Sequence, residues 1–123
     1  MPDYTFYRET YLGEELPAEE FPRYCKRAQA KLARFKQMFL VTPRPGVADA
    51  EDNALCAIAD ALYDFAQEDA RRGLGVTSAS VGAVSETYAA PEALSPTTLY
   101  LRERHCCELA SDFLLLQRWV AHA

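Results

Sequence analysis

Residues 17–39 read PAEEFPRYCKRAQAKLARFKQMF. Pro17 suits a first helical position, Glu19 and Glu20 suit the positive end of a helix dipole, and Pro22 still falls in the first turn, where its missing N–H does no harm. Phe21, Cys25, Ala28, Leu32, Phe35 and Phe39 recur at alternating steps of four and three, which is one apolar face of a helix predicted over 17–39. At about 100° per residue, Arg23, Arg27, Lys31 and Arg34 fall on the roughly opposite face. No acid occurs between Arg23 and Lys36. Thr42-Pro43-Arg44-Pro45-Gly46 then reads as a turn or loop.

Outward from this helix the same pattern recurs. A helix over 48–72 is expected from Asp49, Glu51 and Asp52 at its start, Arg71-Arg72 at its end and Gly73 as a cap. Leu55, Ile58, Ala59, Leu62, Phe65 and Ala66 form its apolar stripe. Asp60, Asp64 and Glu68 form an acidic stripe expected to face away. Ser95-Pro96 opens a last helix, expected over 96–120. Its face is Leu99, Cys106, Leu109, Ala110, Phe113, Leu116 and Val120, with Leu115 and Trp119 projecting on the other side. Such an all-round apolar end calls for cover, and in a small chain a second chain is the expected source. Before the first long helix, Tyr4, Tyr7 and Tyr11 share a helical spacing, so a short N-terminal helix ending near Gly13 is expected to lay its rings on the core. Residues 74–91 are small, β-branched and hydroxyl-rich, a protruding loop or short β-ribbon near Val84–Tyr88. The expected fold is therefore all-α: one domain over 1–123, three main helices and a short N-terminal one.

The chain has 123 residues, enough for one domain, with 50% hydrophobic and 25% charged residues. It lacks the apolar run of about 20 residues that spans a bilayer. Met1-Pro2-Asp3-Tyr4 lacks the features of a signal peptide, so a soluble intracellular protein with no membrane partner is expected. The net charge is -5, which removes the simplest electrostatic case for nucleic-acid affinity. Cys25, Cys56, Cys106 and Cys107 form no C-x-x-C pair, and free thiols without metal are expected. Phosphate-cradling glycine motifs, zinc-protease motifs and nucleophile elbows are absent. His105 and His122 stand beside no nucleophile or orienting acid at a catalytic spacing. The expectation is no enzyme, no cofactor and no metal.

The order of elements resembles the small head–tail connector, or adaptor, proteins of long-tailed bacteriophages and prophages. Four stretches carry the resemblance. The aromatic start, Tyr4 to Gly13, leads into Leu16-Pro17-Ala18-Glu19-Glu20-Phe21-Pro22-Arg23, similar to the opening of the family's first long helix. The acidic helix start Glu51 to Tyr63 follows. Ser80-Val81-Gly82-Ala83-Val84-Ser85-Glu86-Thr87-Tyr88 looks like the family's central S-V-G-x-x-S-x-x-Y segment, the most specific of the four. Leu115-Leu116-Gln117-Arg118-Trp119-Val120 is similar to its terminal L-L-Y-R-G-V. The family's glycines around that motif are replaced by Asp112-Phe113 and Trp119, so here the tail is expected to stay helical.

The resemblance implies a structural role without catalysis or cofactor. Such proteins form a ring, usually of about twelve subunits, beneath the portal vertex in the virion neck, after assembly in the host cytoplasm. The ring extends the DNA channel, which DNA passes without sequence-specific binding, and docks the next head-completion (stopper) or tail protein. Leu115, Arg118, Trp119 and Val120 are then candidates for the portal contact. Val81, Gly82, Val84 and Tyr88 are candidates for neighbours or the downstream protein. Arg23, Arg27, Lys31 and Arg34 of one subunit are candidates to meet Asp60, Asp64 and Glu68 of the next, head to tail. The alternative is a small helical protein-binding or regulatory module without catalytic activity.

Overall fold

The computed structural model describes residues 1–72 and 95–118. Its elements are α1 (Tyr4–Glu9), α2 (Phe21–Met38), β1 (Phe39–Pro43), α3 (Ala50–Arg71), α4 (Pro96–Ser111) and β2 (Leu114–Arg118). The loop or ribbon expected over 74–91, with Val81, Gly82, Val84 and Tyr88, lies outside the described residues, as do Trp119 and Val120.

The fold is mostly helical but not all-α, because β1 and β2 pair as a two-stranded antiparallel sheet. The long helix ends are corrected accordingly. Residues 17–20 form a separate turn, the N–H groups of Glu20 and Phe21 both bonding the Pro17 carbonyl. Pro22 cannot extend a ladder backward, so α2 starts at Phe21. At the other end Phe39 turns extended and opens a strand, Phe39-Leu40-Val41-Thr42, in which aromatic Phe39 and β-branched Val41 and Thr42 favour extended backbone. The expected helix over 96–120 stops at Ser111. The N–H groups of Asp112 and Phe113 bond back to Leu109 and Ala110, closing the last turn. The apolar run that follows is a strand, whose backbone groups are taken up by β1. Such short runs are ambiguous between helix and strand until a partner is known.

Three of the helices enclose one core. α2 buries Phe21, Tyr24, Cys25, Ala28, Leu32 and Phe35, the expected face with Tyr24 added. α3 is central: Ala54 through Ala59, and Ala61, are all buried. Small Ala and Cys side chains let neighbours approach this helix from several sides, so its buried surface is wider than a single stripe. α4 contributes only Cys106 and Ala110 fully; Leu99, expected on the apolar face, is 52% exposed. All four cysteines are free thiols, three of them buried.

The N-terminal segment closes over this core through Tyr7, which is 0% exposed. Its ring stacks between those of Tyr4 and Tyr11 at 5.7 and 5.8 Å and tilts against Phe21 at 5.3 Å. Asp3 caps α1 by accepting the Phe6 N–H. After α1 the chain reverses with Leu12 at φ 65°, and Gly13 donates its N–H to the Tyr7 carbonyl. Gly13 is required by space: a Cβ there would stand 2.2 Å from the Tyr7 ring. Gly13→Ala is therefore expected to destabilise the chain by about 1–3 kcal/mol, the usual cost of overpacking. Leu12→Gly, which relieves a left-handed backbone at a solvent-facing position, should instead be neutral or stabilising by up to about 1 kcal/mol. Urea midpoints of the two variants check both signs.

Candidate functional site

The surfaces singled out in the sequence are partly consumed inside the chain. On α2, Lys31 Nζ stands 2.6 Å from Glu103 Oε1 of α4, and Arg34 Nε stands 3.4 Å from Glu103 Oε2. That second contact lacks hydrogen-bond geometry, which leaves Oε2 buried and held by charge alone. Arg23 pairs with Glu20 at 3.4 Å and Lys36 with Glu51 at 2.9 Å. Arg27 lies over the Tyr24 ring, 5.4 Å from its centroid. The stripe remains largely outward, as expected, with Arg23 and Arg34 side chains 61% and 66% exposed.

The acidic stripe does not form one outward surface. Asp60 is turned towards the N-terminal segment, where its Oδ1 accepts the Tyr7 hydroxyl at 2.6 Å. The same hydroxyl accepts the N–H groups of Glu15 and Leu16 at 3.1 and 2.9 Å. Burial pushes the Asp60 carboxyl above the ordinary carboxylate range, against the bond from Tyr7. Burial, with the neighbouring negative charges behind it, also raises Tyr11, to about 12. Glu68 is used at the other end of α3: its Oε1 takes Arg102 Nη2 at 2.9 Å. Only Asp64 of the three is exposed without an internal ion pair among the described residues. It sits beside Glu15, and its charge is the main reason the Glu15 carboxyl is raised.

Sequence reading missed Arg102. Its guanidinium bonds both Asp69 oxygens, at 2.7 and 3.0 Å, and Glu68, while lying 4.8 Å from the Phe65 ring centroid. This clamp joins α3 to α4 and holds the Asp69 carboxyl below its ordinary range. The available signal was the adjacent acids Glu68-Asp69 late in α3, facing a basic residue nearly two turns into α4. Beside the clamp runs an open groove of about 260 Å³ lined by Arg27, Lys31, Leu62, Phe65, Leu99 and Cys106. Tyr100 continues the exposed rim, at 63%. Burial raises the Cys106 thiol to about 11 and the Cys56 thiol to about 12, so neither is a ready nucleophile at neutral pH. Among the described residues no group of three or more His, Cys, Asp or Glu is placed to hold a metal ion. No described helix is long and apolar enough to cross a membrane.

The tail is placed differently from expectation. Leu115 belongs to β2, so it forms no helical pair with residue 119, and Arg118 is the exposed strand end opposite Phe39. The Arg44 N–H bonds the Phe113 carbonyl at 3.1 Å, continuing the β1–β2 ladder by one step. Hydrogen-bonded pairs alternate along an antiparallel ladder. Residues 113, 115 and 117 therefore face β1 with their backbone groups, while Leu114, Leu116 and Arg118 turn theirs to the outer edge. Two facts on β1 agree. Pro43, opposite Leu114, has no N–H to offer, and the Phe39 N–H is spent on the Phe35 carbonyl. The β1 edge is thus blunted at both ends, whereas among the described residues no backbone partner meets the β2 edge.

The charge environments give a pH dependence with two signs. Asp60 and Glu15 have raised values, so the folded chain holds their protons more tightly than the unfolded one. Stability should rise as pH falls from 7 towards the carboxylate range near 4. Asp69 is lowered, so its contribution is full above the unfolded value and is lost as pH falls further, through the folded value. Urea midpoints measured across this range should pass through a maximum on the acid side of neutrality. Asp60→Asn keeps an acceptor for the Tyr7 hydroxyl and should flatten that rise.

Compared with known proteins, the chain matches no family model, no curated protein and no solved structure.

Proposed function

We propose that this chain is a head–tail connector of a long-tailed phage or prophage: a non-catalytic ring subunit. In this reading it sits in the virion neck under the portal, extends the DNA channel and docks the next head-completion or tail protein. The resemblance of four separated stretches supports the family. The observation that carries the role is the β2 edge, which no backbone group among the described residues meets. Leu116 and Arg118 direct their backbone groups outward on an apolar strand that leads into Trp119 and Val120, while Leu114 at its start is buried. A strand from a partner can extend such an edge, with main-chain bonds giving affinity and the leucines giving register. The portal contact is accordingly assigned to strand β2 and the residues after it, rather than to a helix. Ring contacts and the downstream partner complete the proposal.

The test uses the portal protein encoded beside this chain, assembled and mixed with the full-length protein. Leu116→Pro deletes the outward N–H while leaving the β1 ladder intact, since Leu116 occupies a non-hydrogen-bonded pair. Trp119→Ala removes the large aromatic anchor that follows. Each is expected to weaken portal binding at least about tenfold with helical content unchanged. Unchanged binding in both variants would overturn the tail assignment. A wild-type chain that does not bind the portal would overturn the connector reading itself. Exposed Leu99 and Tyr100 beside the groove favour the second reading, a protein-binding module, and portal binding separates the two: a module leaves the portal unbound.

A further inference from the structure

The contact between copies that the sequence suggested loses most of its acidic half, because Asp60 and Glu68 are committed to Tyr7 and Arg102. What remains exposed defines a different pair of surfaces. α2 holds six of the chain's 13 basic residues and no acid, so the rest of the chain sets seven bases against 18 acids. Arg23, Lys26, Arg27 and Arg34 are exposed. At about 100° per residue they fall within an arc of roughly 100°, turned away from the buried stripe. Lys26 has no ion-pair partner among the described residues.

The complementary surface lies where the N-terminal segment crosses α3. Glu14, Glu15 and Asp64 are exposed together above Asp60. Arg8, whose guanidinium is bonded to the Gly13 carbonyl, shares one shallow cleft with Glu14. Asp64 stands about 200° around α3 from Ala66, which lines the groove beside Arg27 and Lys31. The acidic ridge therefore looks away from the side of α3 that α2 covers.

We propose that the exposed cationic face of α2 docks a second copy of this chain, through that copy's Glu14–Glu15–Asp64 ridge. This rests on the connector reading for its need of repeated copies and names the neighbour contact within it. The two surfaces differ and point different ways. A chain that engages one neighbour through α2 still offers its acidic ridge to another, the arrangement that closes rings. A copy of the same chain is the occupant because it carries the complementary surface itself, three exposed carboxylates grouped on a side of α3 that α2 does not cover.

Sedimentation of the full-length chain, at several concentrations and in low and high salt, tests the contact. Wild-type mass should rise with concentration in low salt and fall back in high salt. Lys26→Glu with Arg27→Glu, and separately Glu14→Lys with Asp64→Lys, should each weaken association at least about tenfold at unchanged helical content. An equimolar mixture of the two double variants should restore it, because each then offers the other both matched charge pairs. A monomeric wild type in low salt, variants that associate like wild type, or a mixture that stays dissociated would overturn the contact. Duplex DNA held by the α2 face in place of self-association would also overturn it. Portal binding is read in a separate experiment, so loss of this contact with portal binding retained leaves the connector reading standing.

Discussion

One hydroxyl organises the N-terminal segment of the molecule, up to Leu16. The Tyr7 oxygen sits where three groups converge: the Asp60 carboxylate, to which it donates, and the Glu15 and Leu16 N–H groups, from which it accepts. A buried hydroxyl must be satisfied, and here it uses its whole capacity, one donor and two acceptor positions. Around this point the chain has to fold back within a few residues of α1, so Leu12 takes a left-handed backbone and Gly13 passes flat over the ring. Loss of the hydroxyl would orphan two backbone donors and a half-buried carboxylate together. That is why the segment behaves as part of the core although α1 itself has only six residues.

The same constraint decides how charge is distributed. Burial disfavours ionised Asp60, yet α3 needs it as the acceptor for Tyr7, so an acid stays at a partly desolvated position. Glu15 and Asp64 are brought beside it by the fold-back and the helical repeat. At the far end of α3 the opposite arrangement holds. Arg102 collects Glu68 and Asp69 in a fork geometry and stacks on Phe65, so that acid pair is stabilised rather than strained. One helix thus carries an acid cluster short of cations at its middle and a satisfied one at its end.

How much of this was legible follows from the kind of signal involved. The α2 face was readable, because a stripe from Phe21 to Phe35 repeats over several turns and periodicity is a sum over many residues. The start of α2 moved from Pro17 to Phe21 because Pro22 interrupts the ladder, a local effect that the stripe does not register. Phe39-Leu40-Val41 and Leu114-Leu115-Leu116 were not readable as a pair: each is too short to choose between helix and strand, and their register exists only once α2 and α4 set them side by side. The acids of α3 share a spacing, but their environments differ. Spacing says that Asp60, Asp64 and Glu68 lie near one line on a helix. It does not say that Tyr7 covers the first, or that Arg102, more than thirty residues away in sequence, reaches the last. The cationic face of α2 was legible because solvent-facing residues keep the positions that helical geometry gives them.

The two ends of the charge pattern have different consequences for association. An ion pair already satisfied within the chain gains little from a partner, since a new contact must first break the old one. Glu103 with Lys31, and Arg102 with Asp69, are of this kind, and their short contacts fix helix against helix. A carboxylate held beside other carboxylates is in the reverse position. The isolated chain bears the cost of the repulsion, and a partner that brings cations relieves it on contact, in addition to the attraction it supplies. Lys26, exposed and without an ion-pair partner among the described residues, likewise loses no internal pair on binding. Association between such surfaces is favoured by what folding leaves unbalanced. It should therefore depend on Glu14, Glu15 and Asp64 far more than on the larger number of acids that the fold has already neutralised.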